Sequence, residues 1–240
     1  LMIGPPGSGK SMLAKCFPSI LPDLTFEEAL EVTKIHSIAG ELDLNEGIIS
    51  SRPFRSPHHT ASTVSLTGGG NNSKPGEISL ADNGVLFLDE FPEYSRHTIE
   101  TLRQPLEDGI ITVARANATI VYPANFTLIA SMNPCPCGNY GSKDKECRCS
   151  AGQISKYLAK LSGPIMDRID IHIEVDNVTY DQLKSEEKEE TSEEIRKRVN
   201  NARSIQNERF KNDKNHCNAK MSVSQTKKYC KLDEMGEMLL

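Results

Sequence analysis

Residues 4–11 read GPPGSGKS, a glycine-rich stretch that closes on Lys10 and Ser11. The spacing is G-x-x-x-x-G-K-[ST], and the chemistry it serves is phosphate binding. Gly4, Gly7 and Gly9 are expected to adopt backbone angles closed to other residues. The loop, with Pro5, Pro6 and Ser8 between them, can then curl so that its N–H groups point inward at phosphate oxygens. Lys10 would reach the β- and γ-phosphates of a nucleoside triphosphate, and Ser11 would give its hydroxyl to Mg²⁺. The same letters could form a Gly/Pro turn with a chance lysine. The flanks decide: Leu1-Met2-Ile3 is strand-like, and SMLAKCF predicts a helix whose positive end faces the loop.

A second half-site follows. Residues 84–90 read GVLFLDE, a continuous apolar run ending in two acids. Such a run predicts a buried parallel strand. Asp89 at its C-terminal end would hold Mg²⁺, and Glu90 would act as general base on the attacking water. In FTLIASMN, residues 126–133, a further apolar strand delivers Asn133 to a place where it could orient that water. An Asn before Pro134 is also a common turn opener. In IMDRIDIHIEV, residues 165–175, the alternation of Ile169, Ile171, Ile173 and Val175 with polar residues predicts a strand. Arg168 stands just before it, readable as a surface ion pair or as an arginine finger for a neighbouring subunit's γ-phosphate.

Four cysteines fall within fifteen positions, as two C-x-C pairs, Cys135/Cys137 and Cys147/Cys149. Four thiolates suit a tetrahedral structural Zn²⁺; reduced loop thiols or a redox pair are the alternatives. Cys16, Cys217 and Cys230 are isolated. Adjacent His58 and His59 would point to opposite faces of an extended segment, so they are read as loop contacts and not as joint ligands.

The chain has 240 residues, 37% hydrophobic and 25% charged, with a net charge of −5. That is the composition of a globular, soluble domain or two. The negative balance excludes a protein coated with cations for nucleic acid, though not a local basic loop. No apolar run approaches the roughly 18 residues of a membrane span. ATP chemistry and free thiols together point to the cytoplasm. Only three residues precede the loop, where a strand normally has about five. The sequence therefore reads as starting inside a strand, and KLDEMGEMLL as stopping in an amphipathic stretch.

In order, GPPGSGKS, RSPHHTAS, PGEISLADNGVLFLDEF, LRQPLEDG, SMNPCPCG and LSGPIMDRIDIHIEV resemble the AAA+ module of the ComM/YifB family, bacterial magnesium-chelatase-like ATPases. The resemblance is strong over residues 1–175 and loose over 177–207. It implies Lys10 and Ser11 as the Walker A pair, Asp89 and Glu90 as the Walker B pair, Asn133 as sensor 1 and Arg168 as a finger acting in trans. It also implies a ring of copies of this chain, expected to be hexameric, with ATP between subunits. The implied work is DNA branch migration or helicase action in natural transformation. A sensor 2 arginine is not assigned.

Two insertions resemble pore elements of such rings. Residues 60–82 carry three glycines and Asn-Asn-Ser-Lys-Pro-Gly, with Lys74 as the only cation. On the residues alone this is a mobile surface loop. Residues 109–122, GIITVARANATIVY, alternate like a hairpin, with Arg115 beside the turn. Arg115 is a candidate DNA contact that salt would weaken, unless it simply pairs with Glu107 or Asp108.

The expected fold is α/β: a P-loop NTPase parallel sheet of AAA+ type with the start of a small helical lid. Residues 1–176 form the ATPase core, and 177–240 a linker and partial lid. SEEKEETSEE, residues 185–194, is a charged linker or helix start, and Ser192 to Gln206 has helical spacing. Gly236 weakens the last helix. Two rival readings remain. One is a chelatase-type ATPase driving metal insertion through a partner subunit. The other is a nucleotide-dependent scaffold, against which Glu90 argues.

Overall fold

A computed structural model describes the chain apart from residues 43–46, 71–72, 116–117, 143–144, 178–183, 185–188, 214–216 and 240. For residues 114, 115 and 118 it describes the backbone alone. The chain divides into two compact units, residues 1–18 with 23–188, and residues 19–22 with 189–240.

The first unit opens with β1 (Met2–Ile3), the loop, and α1 (Lys10–Cys16). Next come α2 (Phe26–Ala39), β2 (Phe54–Arg55), α3 (Thr63–Thr67), β3 (Gly68–Gly69), β4 (Lys74–Pro75) and α4 (Glu77–Leu80). Then follow β5 (Val85–Leu88), α5 (Arg96–Glu100), α6 (Arg103–Asp108), β6 (Ile110–Arg115), β7 (Ala118–Pro123) and β8 (Thr127–Met132). It closes with α7 (Ala151–Leu158), α8 (Gly163–Met166) and β9 (Ile173–Glu174).

Five strands form one parallel sheet in the order β2-β5-β8-β1-β9. All four residues of β5 are buried, the continuous apolar run serving a strand covered on both faces. Gly84 is what lets β5 enter beside β2, because a Cβ there would meet the Pro53 carbonyl oxygen at 2.2 Å. β8 lies between β5 and β1, with Leu86 opposite Leu128 and Met2 opposite Ser131. The last residues of β8 are thereby wedged between the loop after β1 and the acids after β5. Ligands of open parallel sheets bind at these carboxyl ends. Leu66, Ile78, Leu86, Ile99, Leu102 and Ile165 are fully buried together in the main core.

Three expectations need correction. The strand over residues 169–175 shrinks to Ile173–Glu174, preceded by the helical turn α8. It pairs with β1, Met2 opposite Ile173 and Ile3 opposite Glu174, and Ile171 is left 70% exposed. The insertion at 60–82 is not a mobile surface loop over most of its length. Ser62 caps α3, β3 pairs with β4, and Leu66 and Ile78 are fully buried, because its apolar residues join the main core. Gly4 also has a different reason from Gly7 and Gly9. Those two have φ of 84°, while at Gly4 it is space that forbids a side chain. A Cβ there would lie 2.2 Å from the carbonyl oxygen of Val175.

The second unit contains the helices Ser192–Arg209, Val223–Tyr229 and Glu234–Leu239. The first is closed by a reciprocal cap between Thr191 and Glu194, the second by one between Ser222 and Gln225. Phe210 is fully buried, with its ring edge-on to Tyr229. Among the described residues, no helix is long and apolar enough to cross a membrane.

Candidate nucleotide-binding site

A cleft of about 380 Å³ opens at the carboxyl ends of the strands, lined by residues 6–12, Asp89 and Glu90, and residues 131–133. The volume is in the range of small-molecule sites. Gly9 in a left-handed conformation starts α1, so the first helical residue, Lys10, falls beneath the loop. Its ammonium donates to the carbonyls of Gly4 and Pro5, both at 2.8 Å, and contacts Ser8 Oγ at 3.4 Å. Gly4 and Pro5 thus hold the lysine through their backbone and do not line the cleft.

Ser11 and Asp89, 78 positions apart, meet here: Ser11 Oγ donates to Asp89 Oδ2 at 2.6 Å. The other carboxylate oxygen accepts from Ser131 Oγ and from the backbone N–H of Glu90 at 3.0 Å. Burial alone would raise the pKa of Asp89. The hydroxyls of Ser11 and Ser131, the Glu90 N–H and the Lys10 charge more than offset it, so the carboxyl is held below its usual range. Burial lowers the pKa of Lys10, and Asp89 opposes that. A hydroxyl and a carboxylate converging as oxygen donors is a set that fits Mg²⁺.

Glu90 has φ of 52°, a left-handed conformation uncommon outside glycine, and it caps the short turn Phe91–Glu93. Its carboxylate is half-exposed and lies 3.0 Å from Nδ1 of His59. The rings of His58 and His59 lie tilted against each other, 34° between their planes and centroids 4.1 Å apart, so the two side chains do not point to opposite faces as expected of an extended segment. Tyr94, whose hydroxyl donates to the Pro57 carbonyl at 2.5 Å, lies edge-on to His59. Asn133 lines the cleft, and its backbone lies beside the hydroxyl of Tyr157. That tyrosine is pushed up to about 12, chiefly by burial.

His59 and Ser131 belong to the site and were not singled out for it from the sequence. Two adjacent histidines in a Pro-containing loop have no period that aims one of them at an acid. Ser131 had a faint signal, a lone hydroxyl in an otherwise apolar strand end.

Arg168 is not brought into the cleft. It pairs with Glu107 of α6 and donates to the carbonyl of Pro164, while its buried Nε has no partner among the described residues. Lys74 donates to the carbonyl of Ala39 at 2.8 Å, at the end of α2. Arg115 ends β6 opposite Ala118; its side chain lies outside the described atoms. The two insertions pack together, Tyr122 donating its hydroxyl to the Ser73 carbonyl at 2.7 Å.

The sulfurs of Cys135, Cys137, Cys147 and Cys149 lie within 4.8 Å of one another, and none is in a disulfide. Cys137 is drawn down to about 6 by the N–H groups of Asn139 and then Arg148. Cys149, although helped by the Cys137 N–H, is pushed up to about 12 by partial burial and the neighbouring sulfurs. Four thiols this close cannot all ionise without a cation among them.

A phosphate loop, two acids and a polar strand end at the carboxyl edge of a five-stranded parallel sheet define a P-loop ATPase of the AAA+ class. Residues 1–183 match the family described as "Magnesium chelatase, subunit ChlI", and residues 189–240 its C-terminal counterpart; the chain belongs to this magnesium-chelatase-like family, on its ComM/YifB side. It is 45% identical to Competence protein ComM of Haemophilus influenzae over 241 residues, covering 100% of this chain and 46% of that protein. It is 44% identical to YifB of Escherichia coli over the same length, with 46% of that protein covered. Magnesium-chelatase subunit ChlI of Olisthodiscus luteus is 27% identical over 145 residues, 56% of this chain and 42% of that one. The chain spans a little under half the length of these relatives. Membership implies ATP and Mg²⁺, and AAA+ proteins commonly assemble into rings.

Proposed function

We propose that the chain is the ATP-hydrolysing module of a ring, expected to be hexameric, that acts on DNA. The observation that carries the ATPase part is the meeting of Ser11 and Asp89 at the mouth of the loop. Bound Mg²⁺ would neutralise phosphate charge between them. Lys10 exchanges the carbonyls of Gly4 and Pro5 for phosphate oxygens, a change of partner within reach of its flexible stem. The N–H groups of residues 7–11 receive the remaining oxygens. Glu90 accepts the proton of the attacking water, with His59 holding its carboxylate and Asn133 orienting the water. Arg168 serves a neighbour's phosphate, and to do so it must leave Glu107.

The DNA part is supported by likeness to a competence protein and by the docking of the two insertions on each other. Arg115 is the proposed phosphate contact; Lys74, tied to the end of α2, is the weaker one. The reading includes a structural Zn²⁺ on the four cysteines, residues 1–176 as the ATPase core, and a cytoplasmic setting. The family description favours a second reading, a chelatase-type ATPase that works through a partner subunit.

The test is ATP turnover by the protein in the full length its gene encodes, with and without forked DNA, at two salt concentrations. Glu90→Gln is expected to lower kcat by roughly 10²-fold or more. DNA stimulation that fades with salt and in Arg115→Ala is the expected result. Turnover that needs Glu90 and ignores DNA would transfer the assignment to the chelatase-type reading.

A further inference from the structure

The cysteine cluster backs directly onto the nucleotide loop. Zn–S bonds are about 2.3 Å, so a regular tetrahedron of sulfurs around one Zn²⁺ has edges of about 3.8 Å. The observed separations are 3.4 Å for Cys135–Cys137 and 3.7 Å for both Cys135–Cys147 and Cys137–Cys147. Iron–sulfide clusters spread their cysteines further, so this spacing is that of a single ion. Four soft donors gathered within 4.8 Å favour zinc, and each ligating thiol gives up its proton on binding.

What the cluster touches gives it a role. Asn133 is two residues before the first cysteine, and Cys135 is fully buried. The chain turns back from there: the Gly138 N–H donates to the Cys135 carbonyl at 2.9 Å, and Tyr140 N–H points at its sulfur at 3.3 Å. Gly138, with φ of 80°, lies against the loop so closely that a Cβ would meet Pro6 Cδ at 2.5 Å. Pro6 in turn lines the nucleotide cleft.

We propose that Cys135, Cys137, Cys147 and Cys149 bind one Zn²⁺, and that the resulting knot positions Asn133 and, through Gly138 against Pro6, the phosphate loop. The proposal rests on the nucleotide-site reading above. Zinc is therefore a positioning element for ATP binding and takes no part in the reaction itself.

The test uses the full-length protein and has two readouts, zinc content and affinity for the fluorescent probe mant-ADP. Wild type is expected to carry about one zinc per chain. The double variant Cys147→Ser, Cys149→Ser is expected to lose the zinc and roughly tenfold in mant-ADP affinity, the scale of supporting-shell losses. Gly138→Ala keeps all four thiols, so it should retain zinc yet lose affinity by a comparable factor. Should the double variant fail to fold, a zinc-selective chelator in excess Mg²⁺ replaces it, with recovery expected on adding zinc back. Wild type free of zinc, or carrying iron, overturns the site. Zinc loss or Gly138→Ala with unchanged affinity overturns the coupling. A zinc-loaded wild type that binds mant-ADP no better than Lys10→Ala does overturns the nucleotide reading instead.

Discussion

Strand β5 and the helix Ser192–Arg209 are specified in opposite ways. Every residue of β5 is buried, and its four apolar side chains carry no local signal beyond being apolar. The helix has no buried residue at all. Its start is set by Thr191 and Glu194 capping each other, by Glu193 and Glu194 in the first turn and by Arg209 in the last. One element exists because the rest of the sheet covers it; the other is written into consecutive residues. Chemistry sits at the end of the first kind, since Asp89 and Glu90 can be held firmly only by a strand that cannot move.

The contrast can be strained from its strongest point downward. Phe87→Ala empties a fully buried position and is expected to cost about 3–5 kcal/mol, read as a lower denaturant midpoint with unchanged slope. Asp89→Asn should fold, yet lose most of the stabilisation that Mg-ATP confers, about 2.7 kcal/mol at a hundredfold excess over Kd. The pH dependence has a defined sign. The folded pKa of Asp89 is depressed, so its contribution is present above the ordinary carboxylate value and is lost as pH falls through the lower folded value. Acid titration of the melting temperature should therefore be shallower in Asp89→Asn.

His59→Ala is expected to lower kcat roughly tenfold, about 1.4 kcal/mol, with KM held and partial recovery in His59→Gln. An equal rise in KM would mean that His59 serves binding and not the orientation of Glu90. Thr191→Ala should cost about 1 kcal/mol, seen as faster amide exchange confined to the first turn of Ser192–Arg209. If it cost as much as Phe87→Ala, the division between buried strand and capped helix would fail. Smallest is Lys197→Ala, which removes an exposed pair with Glu193 at 3.1 Å and should shift exchange by about 0.3–0.5 kcal/mol.

The elements that local chemistry can dictate were legible in the residues: the loop at 4–11, the apolar run at 85–88, the hairpin over 110–123 and the helix from Ser192. Each rests on neighbours in the chain, on glycine freedom, apolar runs, alternation or caps. The strand expected over 169–175 failed for the complementary reason. Alternation says which face a strand would bury, but the Ile169 N–H is already bonded to the Met166 carbonyl in a helical turn, and pairing with β1 begins only at Ile173.

The site divides along the same line. Lys10, Ser11, Asp89, Glu90 and Asn133 could be named from types and spacing, because phosphate and Mg²⁺ chemistry restricts which residues serve. Their convergence could not, since it follows from β8 lying between β1 and β5 and bringing Ser131 to Asp89. Nor could the contact of His59 with Glu90, the docking of Gly138 on Pro6, or the pairing of Arg168 with Glu107. Those are distances between segments far apart in the chain. Such contacts arise only when the apolar strands have packed, because burial selects which surfaces meet and has no memory of sequence separation.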